Sequence, residues 1–376
     1  MTKTIFIAGS GGIGEAAALL LREWCEFDVT IILGDVSEAS LAKAVEFVTR
    51  NSSKTTSVET VVMSRDGIND AMKVAFGRTD VLLDCSPGGQ APRMARFAVA
   101  YKFHYANLTE YVAETDEIIA MAADAETGFI LQTGLAPGFI NVKAMELYNQ
   151  FVANFENESV ERVAMKVGAL TAHAHAPHYY GFTWSPIGVA TEYVKDSRVI
   201  RDGAITEVPA LSNRETIVIG ARTYEADLTS GGAADLPDFF AGKARQLDYK
   251  TLRYPGHYAW VDKTVAGLSA SEDLPDRLQD VMLNAIPSVE DDLVVVHVSV
   301  EGFDAAGRRR MLEKAYFVEP LAINGQSLRA IQTTTAAPLC ESAMMLLSGK
   351  YKGVVLQSQI EPEAFIGGRF VSSIYK

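Results

Sequence analysis

The first 35 residues constrain the fold more than any other stretch of the chain. "KTIFIAG" is a short apolar run rich in branched side chains, "SGGIG" follows at once, and "EAAALLLREWCE" reads as a helix. "DVTIILGD" is a second strand that ends on Asp35. Strand, glycine turn, helix, strand, acid is the order that a dinucleotide-binding βαβ unit requires. The loop Gly9, Ser10, Gly11, Gly12, Ile13, Gly14 is therefore expected to hold the cofactor. A Cβ at Gly9 would obstruct the tight turn, one at Gly11 would hold the backbone off a pyrophosphate, and Gly14 lets the helix lie close to the strand. The helix N-terminus offers free N–H groups and partial positive charge to the phosphates.

Asp35 bears on the choice of cofactor. A carboxylate at this position accepts bonds from ribose hydroxyls and repels a 2'-phosphate, and "VSEAS" after it supplies no arginine. The expectation is NAD, with NADP the lesser alternative. Asp35 would otherwise only cap the helix containing "EASLAKAVEFV", a task that Ser37 can also perform.

A further strand is expected at 57–63, and "TDVLLDCSPGG" (79–89) holds a fourth that ends at Asp84 and leads into Cys85, Ser86 and Pro87. Ligands of such sheets lie beyond the carboxyl ends of the strands, which places Ser86 and Pro87 at the nicotinamide end. "FHYANLTEY" reads as a strand and loop, "FILQTG" as a further strand, and a turn at Pro137–Gly138 precedes a helix. Beyond residue 160 the pattern changes to longer strands such as "ERVAMKVGAL" and "VVVHVSVEGF". An open, largely antiparallel sheet covered by helices is the economical reading there. The expected fold class is α/β: a Rossmann doubly wound parallel sheet over 1–135 and a second α+β domain on a largely antiparallel sheet over 136–330. Residues 331–376 form a helix and tail returning to the first domain.

The formal charge of -13 argues against nucleic acid or an anionic membrane as partner. "MTKTIFIAGSGG" lacks the apolar stretch and cleavage site of a secretory signal, and neither a leader nor a membrane span is expected. Three cysteines without CxxC spacing suit a reducing compartment. A cytoplasmic enzyme of small molecules is expected.

"GSGGIG" (9–14), "HYANLTEY" (104–111), "GLAPGFIN" (134–141), "YGFTWSPIG" (180–188) and "TLRYPGH" (251–257) together resemble the saccharopine dehydrogenase family, in its Rossmann-type saccharopine reductase and lysine 6-dehydrogenase branch. The resemblance spans nearly the whole chain, and "FTWSP" followed by "TLRYPGH" is its narrowest part. It implies hydride transfer between a nicotinamide cofactor and a carbon–nitrogen centre of an amino acid. Its substrate-facing loops fall on Tyr105, Asn107, Thr109, Tyr111, Trp184, Ser185, Pro186 and Arg253. The chain departs from saccharopine reductases at Ala136 and Asn107, where those have acids, and in "VGALTAHAHAP" upstream of the tryptophan motif.

Amine oxidation needs a base with a pKa near the working pH. His104, His178 and His257 are the candidates, with Tyr111 and Glu110 as alternates. His104 is expected just after the fifth parallel strand, near the nicotinamide end. Arg253 suits a bidentate pair with a substrate carboxylate, and Asn107, Trp184 and Ser185 would line the substrate. His173, His175 and His178 are read as a substrate-domain loop and no metal is expected, since hydride transfer needs none. His297, among core valines, is read as structural. A homodimer formed through the sheet of the second domain is expected. Two other readings stay open: a polyamine or opine-type dehydrogenase on the same scaffold, and a non-catalytic NAD-binding regulator.

Overall fold

In the computed structural model the apolar run after Thr2 becomes β1 (Lys3–Ala8). The strands that follow are β2 (Val29–Asp35), β3 (Val58–Val62), β4 (Val81–Asp84), β5 (His104–Asn107) and β6 (Gly128–Ile130). The structure describes residues 2–54 and 58–376; Ser57, where the third strand was expected to begin, lies outside them. Two units are distinguished: Met1–Phe139 with Leu321–Leu328 and Gln332–Lys376, and Ile140–Pro320 with Arg329–Ile331.

The second unit contains β7 (Val160–Thr171), β8 (Ser197–Arg201), β9 (Ala204–Val208), β10 (Glu215–Ile219), β11 (Arg222–Leu228), β12 (Ala244–Arg253), β13 (Asp292–Phe303) and β14 (Arg309–Val318). The chain then returns to the first unit through the hairpin β15 (Leu321–Ile323) and β16 (Gln326–Leu328), and finally β17 (Gly353–Val355).

In the first unit all pairings of the seven-stranded sheet are parallel, in the order β17-β6-β5-β4-β1-β2-β3. The order reverses at β1 and β4, the switch point at which such sheets bind ligands. β17 pairs in parallel with β6 at one edge of this sheet. Helix Gly12–Trp24 is buried from Gly14 to Arg22, because helix Ala330–Leu347 covers the side turned away from the sheet; the Cys340 thiol contacts the Ala17 carbonyl at 3.6 Å. Leu19, Leu20 and Leu21 are each fully buried, worth about 1.5–3 kcal/mol apiece. That explains a sequence with no polar face at those positions.

The second unit is built on an eight-stranded sheet whose main path runs β10-β11-β12-β7-β13-β14, with β8 paired to β12 and β9 to β8. It is antiparallel except at β7–β12. Those two strands are joined through residues 172–243, a connection long enough for a parallel crossover. The expected open sheet is instead strongly curled. β10 and β14 stand at opposite ends of the path, yet a Cβ on Gly220, in the turn after β10, would lie 2.4 Å from the Phe317 ring on β14. In a flat sheet those strands would be roughly 24 Å apart.

Candidate functional site

The glycine loop has the geometry of a phosphate cradle. Gly9 has φ +95°, and a Cβ there would also meet the Cys85 carbonyl oxygen at 2.6 Å. At Gly14 a Cβ would lie 2.0 Å from the Gly9 carbonyl oxygen, whereas at Gly11 it would meet no atom within 4 Å. The Gly11 backbone thus borders open space at the N-terminus of helix Gly12–Trp24, where a pyrophosphate fits. Ile13 is half-buried, and the Gly12 carbonyl accepts a bond from the Gln332 side chain at 2.9 Å.

Asp35 ends β2 and does not cap the next helix; the Ser37 hydroxyl does so, accepting from the Ser40 amide. One Asp35 oxygen accepts from the Ser10 amide (2.8 Å) and hydroxyl (2.9 Å), and the other from the Ser37 amide. Burial alone would raise this carboxyl's pKa, but the bonds from Ser10 and Ser37 outweigh it and hold the group below its ordinary value. Asp35 is therefore an anion tied to the cradle.

The loop after β4 starts from Asp84, fully buried, whose carboxyl burial pushes up. It accepts bonds from the Ser86 amide and hydroxyl and from Tyr105 Oη (2.8 Å). Pro87 then leads into a short turn, and the space a Cβ on Gly88 would need is filled by Thr109 and Tyr111. Beside Asp84, at the end of β5, Asn107 Oδ1 accepts from the Gln132 amide at 2.8 Å while its buried Nδ2 makes no hydrogen bond. Burial, aided by Glu110 and Glu114, raises the Tyr111 phenol, so it is protonated at neutral pH.

His104 is placed differently from the expectation. It opens β5 rather than following it, roughly 10 Å along the strand from Asn107. Its Nδ1 accepts from the Gly128 amide at 2.8 Å, and burial lowers its pKa. The strand and loop were expected to begin at Phe103, but Phe103 lies just before β5 and packs into the core.

The second unit assembles a different cluster around Arg253, at the end of β12. The guanidinium is fully buried. Its Nε donates to Tyr193 Oη at 2.6 Å and its Nη1 to the Leu252 carbonyl at 2.9 Å; Nη2 is buried with no hydrogen-bond partner. The Tyr180 ring centroid lies 4.6 Å from the guanidinium carbon. Because Tyr193 Oη accepts from Arg253, its own proton goes to His257 Nε2, 2.9 Å away. His257 Nδ1 must then carry the ring proton and donate to the His178 carbonyl at 2.6 Å. Burial, and after it the Arg253 charge, lowers the His257 pKa to about 3. Both ring nitrogens are occupied, so this histidine has no lone pair to offer a substrate.

His178 is half-buried, and its Nδ1 lies 3.1 Å from the Tyr180 carbonyl. That contact makes Nδ1 the protonated nitrogen and leaves the lone pair on Nε2. Trp184 packs partly buried against the core cluster that includes Tyr180 and Tyr258, and its ring occupies the space of a Cβ at Gly188. Ser185 caps helix Pro186–Val194 through a bond from the Gly188 amide. His173 pairs with Asp291 in solvent and His175 is exposed. His297 lies on β13 with Nε2 3.3 Å from Glu313.

Two family models cover these units: residues 5–131 match the saccharopine dehydrogenase NADP binding domain and residues 134–368 the saccharopine dehydrogenase C-terminal domain. The chain belongs to the saccharopine dehydrogenase family. Like the family, it is an NAD(P)-dependent oxidoreductase. Among solved structures it is similar to apo saccharopine dehydrogenase (L-Glu forming) from Saccharomyces cerevisiae, with a TM-score of 0.78 at 13% identity over 99% of this chain and 98% of the other. It is also similar to homospermidine synthase from Legionella pneumophila, solved with NAD, with a TM-score of 0.67 at 12% identity over 100% and 90%. At such identities these likenesses establish the fold.

Sequence reasoning did not single out Tyr193 or Tyr180 as a functional residue. Tyr180 stood inside a quoted motif, but Tyr193 sits in "ATEYV", where it reads as ordinary helix core. Its hydroxyl partner, 60 positions away, leaves no trace in local spacing.

Proposed function

We propose that this family member oxidises or forms a carbon–nitrogen bond of an α-amino acid, with Arg253 holding the substrate carboxylate. The observation that carries this reading is Arg253 Nη2, buried and unpaired. Leaving a buried donor unsatisfied costs about 1–3 kcal/mol, and more when the group is charged; a carboxylate satisfies it with a charge-assisted bond. Tyr193 and His257 fix the plane of the fork. Tyr180 and Trp184 supply apolar walls that keep water from the guanidinium. His178 Nε2 takes the ammonium proton so that the amine is neutral when its C–H bond breaks. A bound nicotinamide supplies the hydride acceptor.

NAD is the proposed cofactor, because the ionised Asp35 at the end of β2 repels a 2'-phosphate. Cys25, Cys85 and Cys340 are free thiols, in keeping with a cytoplasmic setting; among the described residues no helix is long and apolar enough to cross a membrane. A homodimer formed along the β14 edge would cover Met311 and Phe317, which are exposed there; light scattering on the purified protein tests it.

The deciding experiment follows nicotinamide absorbance with NAD or NADP against lysine, saccharopine, other diamino acids and their decarboxylated amines. Turnover of amino acids but not of the amines is expected. Arg253→Lys should then raise KM about 100-fold. Equal turnover of the decarboxylated amines would remove Arg253 from the substrate site and favour a polyamine substrate.

A further inference from the structure

The second unit carries a cationic cluster on the sheet face opposite Arg253. Side chains alternate along a strand, so Arg162 and Lys166 on β7 share a face with Asp248 and Lys250 on β12. Lys166 is in register with Lys250 on one side and with His297 on β13 on the other. The curl of the sheet brings Glu215 of β10 over them. One Glu215 oxygen lies 3.0 Å from the Lys250 ammonium, 3.4 Å from that of Lys166 and 3.5 Å from an Arg162 nitrogen. Asp248, buried, lies 3.3 Å from both Arg162 and Arg201.

Four cations therefore share two carboxylates. Glu313 does not redress the balance, since it is more than half exposed and is engaged by His297. Lys250 is well provided for, donating also to the Asn213 carbonyl and side chain. Lys166 is not: its one carboxylate contact, at 3.4 Å, is long for a charge-assisted bond and is shared with two other cations. Arg162 Nε and His297 Nδ1 are buried without a hydrogen-bond partner. Leaving buried charge uncompensated costs several kcal/mol. Burial accordingly lowers the Lys166 pKa. Lys166 and Lys250 form the floor of the cluster, while Arg162, Arg201 and Glu215 are each about 30% exposed and form its mouth.

We propose that this cluster is a binding site for hydrogen phosphate, a doubly charged oxyanion that matches the excess of two cations. Lys166 and Arg162 Nε donate to its oxygens. His297 holds its ring proton on Nε2 toward the Glu313 carboxylate, so Nδ1 accepts the bond from the phosphate hydroxyl. Sulfate, which carries no proton at neutral pH, lacks that last contact. The site is independent of any role for Arg253, which lies on the other face of β12.

Thermal unfolding of the full chain, with chloride exchanged for phosphate at constant ionic strength, tests the proposal. Phosphate at tenfold its Kd should raise the midpoint by roughly 2–6 °C, and sulfate should raise it less. Lys166→Met should abolish the increment without lowering the phosphate-free midpoint, because it removes an under-compensated buried charge. Arg162→Gln, on a partly exposed side chain, should reduce the increment and serves as the second test should Lys166→Met not fold. No increment in the wild type, an equal one with sulfate, or one unchanged in the variants would overturn the site.

Discussion

Replacing Tyr193 by Phe removes one oxygen and tests the arrangement around Arg253 directly. The ring stays, and with it the packing in the cluster of Tyr180, Phe182 and Tyr258. Two bonds go: the charged one from Arg253 Nε at 2.6 Å and the one to His257 Nε2 at 2.9 Å. A hydrogen bond to a charged group contributes about 1.5–3 kcal/mol, and a buried acceptor left unsatisfied costs about 1–3 kcal/mol. A loss of about 3 kcal/mol in unfolding free energy is expected from denaturant titration. With Nε released, the guanidinium plane is held by a single hydrogen bond, from Nη1 to the Leu252 carbonyl, and is less firmly fixed. KM for a carboxylate-bearing substrate should rise about 10- to 100-fold, while kcat changes much less, the pattern of lost uniform binding. Tyr193→Phe with wild-type stability and wild-type KM would refute the idea that this hydroxyl orients Arg253. A fall in kcat at unchanged KM would instead make Tyr193 a participant in the chemical step.

Gly14→Ala would place a methyl 2.0 Å from the Gly9 carbonyl oxygen, against backbone that has no rotamer to change. A destabilisation of at least 1–3 kcal/mol and loss of NADH binding, read by nucleotide fluorescence, are expected, and tight NADH binding by this variant would contradict the cradle. Asp35→Ser should move the ratio of NAD to NADP turnover toward NADP by about tenfold or more, and an unchanged ratio would show that the carboxylate does not discriminate. His257 predicts a pH dependence. Its folded pKa of about 3 lies below the unfolded value of about 6.5, so the unfolded chain binds the extra proton between these values. The contribution is complete above pH 6.5 and is lost as pH falls toward 3, with a slope of at most about 1.4 kcal/mol per pH unit. His257→Gln should flatten the stability profile between pH 5 and 6.5, and a slope retained in the variant would assign it to other groups.

The parts legible in the sequence were those whose cause is local. The glycine loop announces itself by its spacing between a strand and a helix, and Gly14 answers a steric demand within a few residues, the Gly9 carbonyl. Asp35 was readable as the acid that closes β2, and Ser37 as the cap that makes a capping role for Asp35 unnecessary. His104 was misplaced by a few residues, because "FHYAN" does not reveal that Phe103 turns into the core before the strand begins. That small slip moved the histidine to the other end of β5. The curl of the second sheet was not legible at all, since it depends on Phe317 reaching Gly220 from almost 100 positions away. His257 was chosen as a base for its residue type, yet its protonation is decided by Tyr193, Arg253 and the His178 carbonyl, none of them its sequence neighbours.

The first unit is discontinuous, and that has a cost at the time of folding. β6 must wait for β17, and helix Gly12–Trp24 for its cover from Ala330–Leu347, across an excursion of about 180 residues. Closing a flexible loop of that length costs about 4–5 kcal/mol in chain entropy. A second unit that has already folded holds residues 140 and 320 at a fixed separation and removes most of that cost. The nucleotide-binding unit, though it begins the sequence, is then completed after the unit inserted into it. Lesions in the curled sheet should therefore lower the yield of cofactor-binding protein without touching a single residue of the cradle.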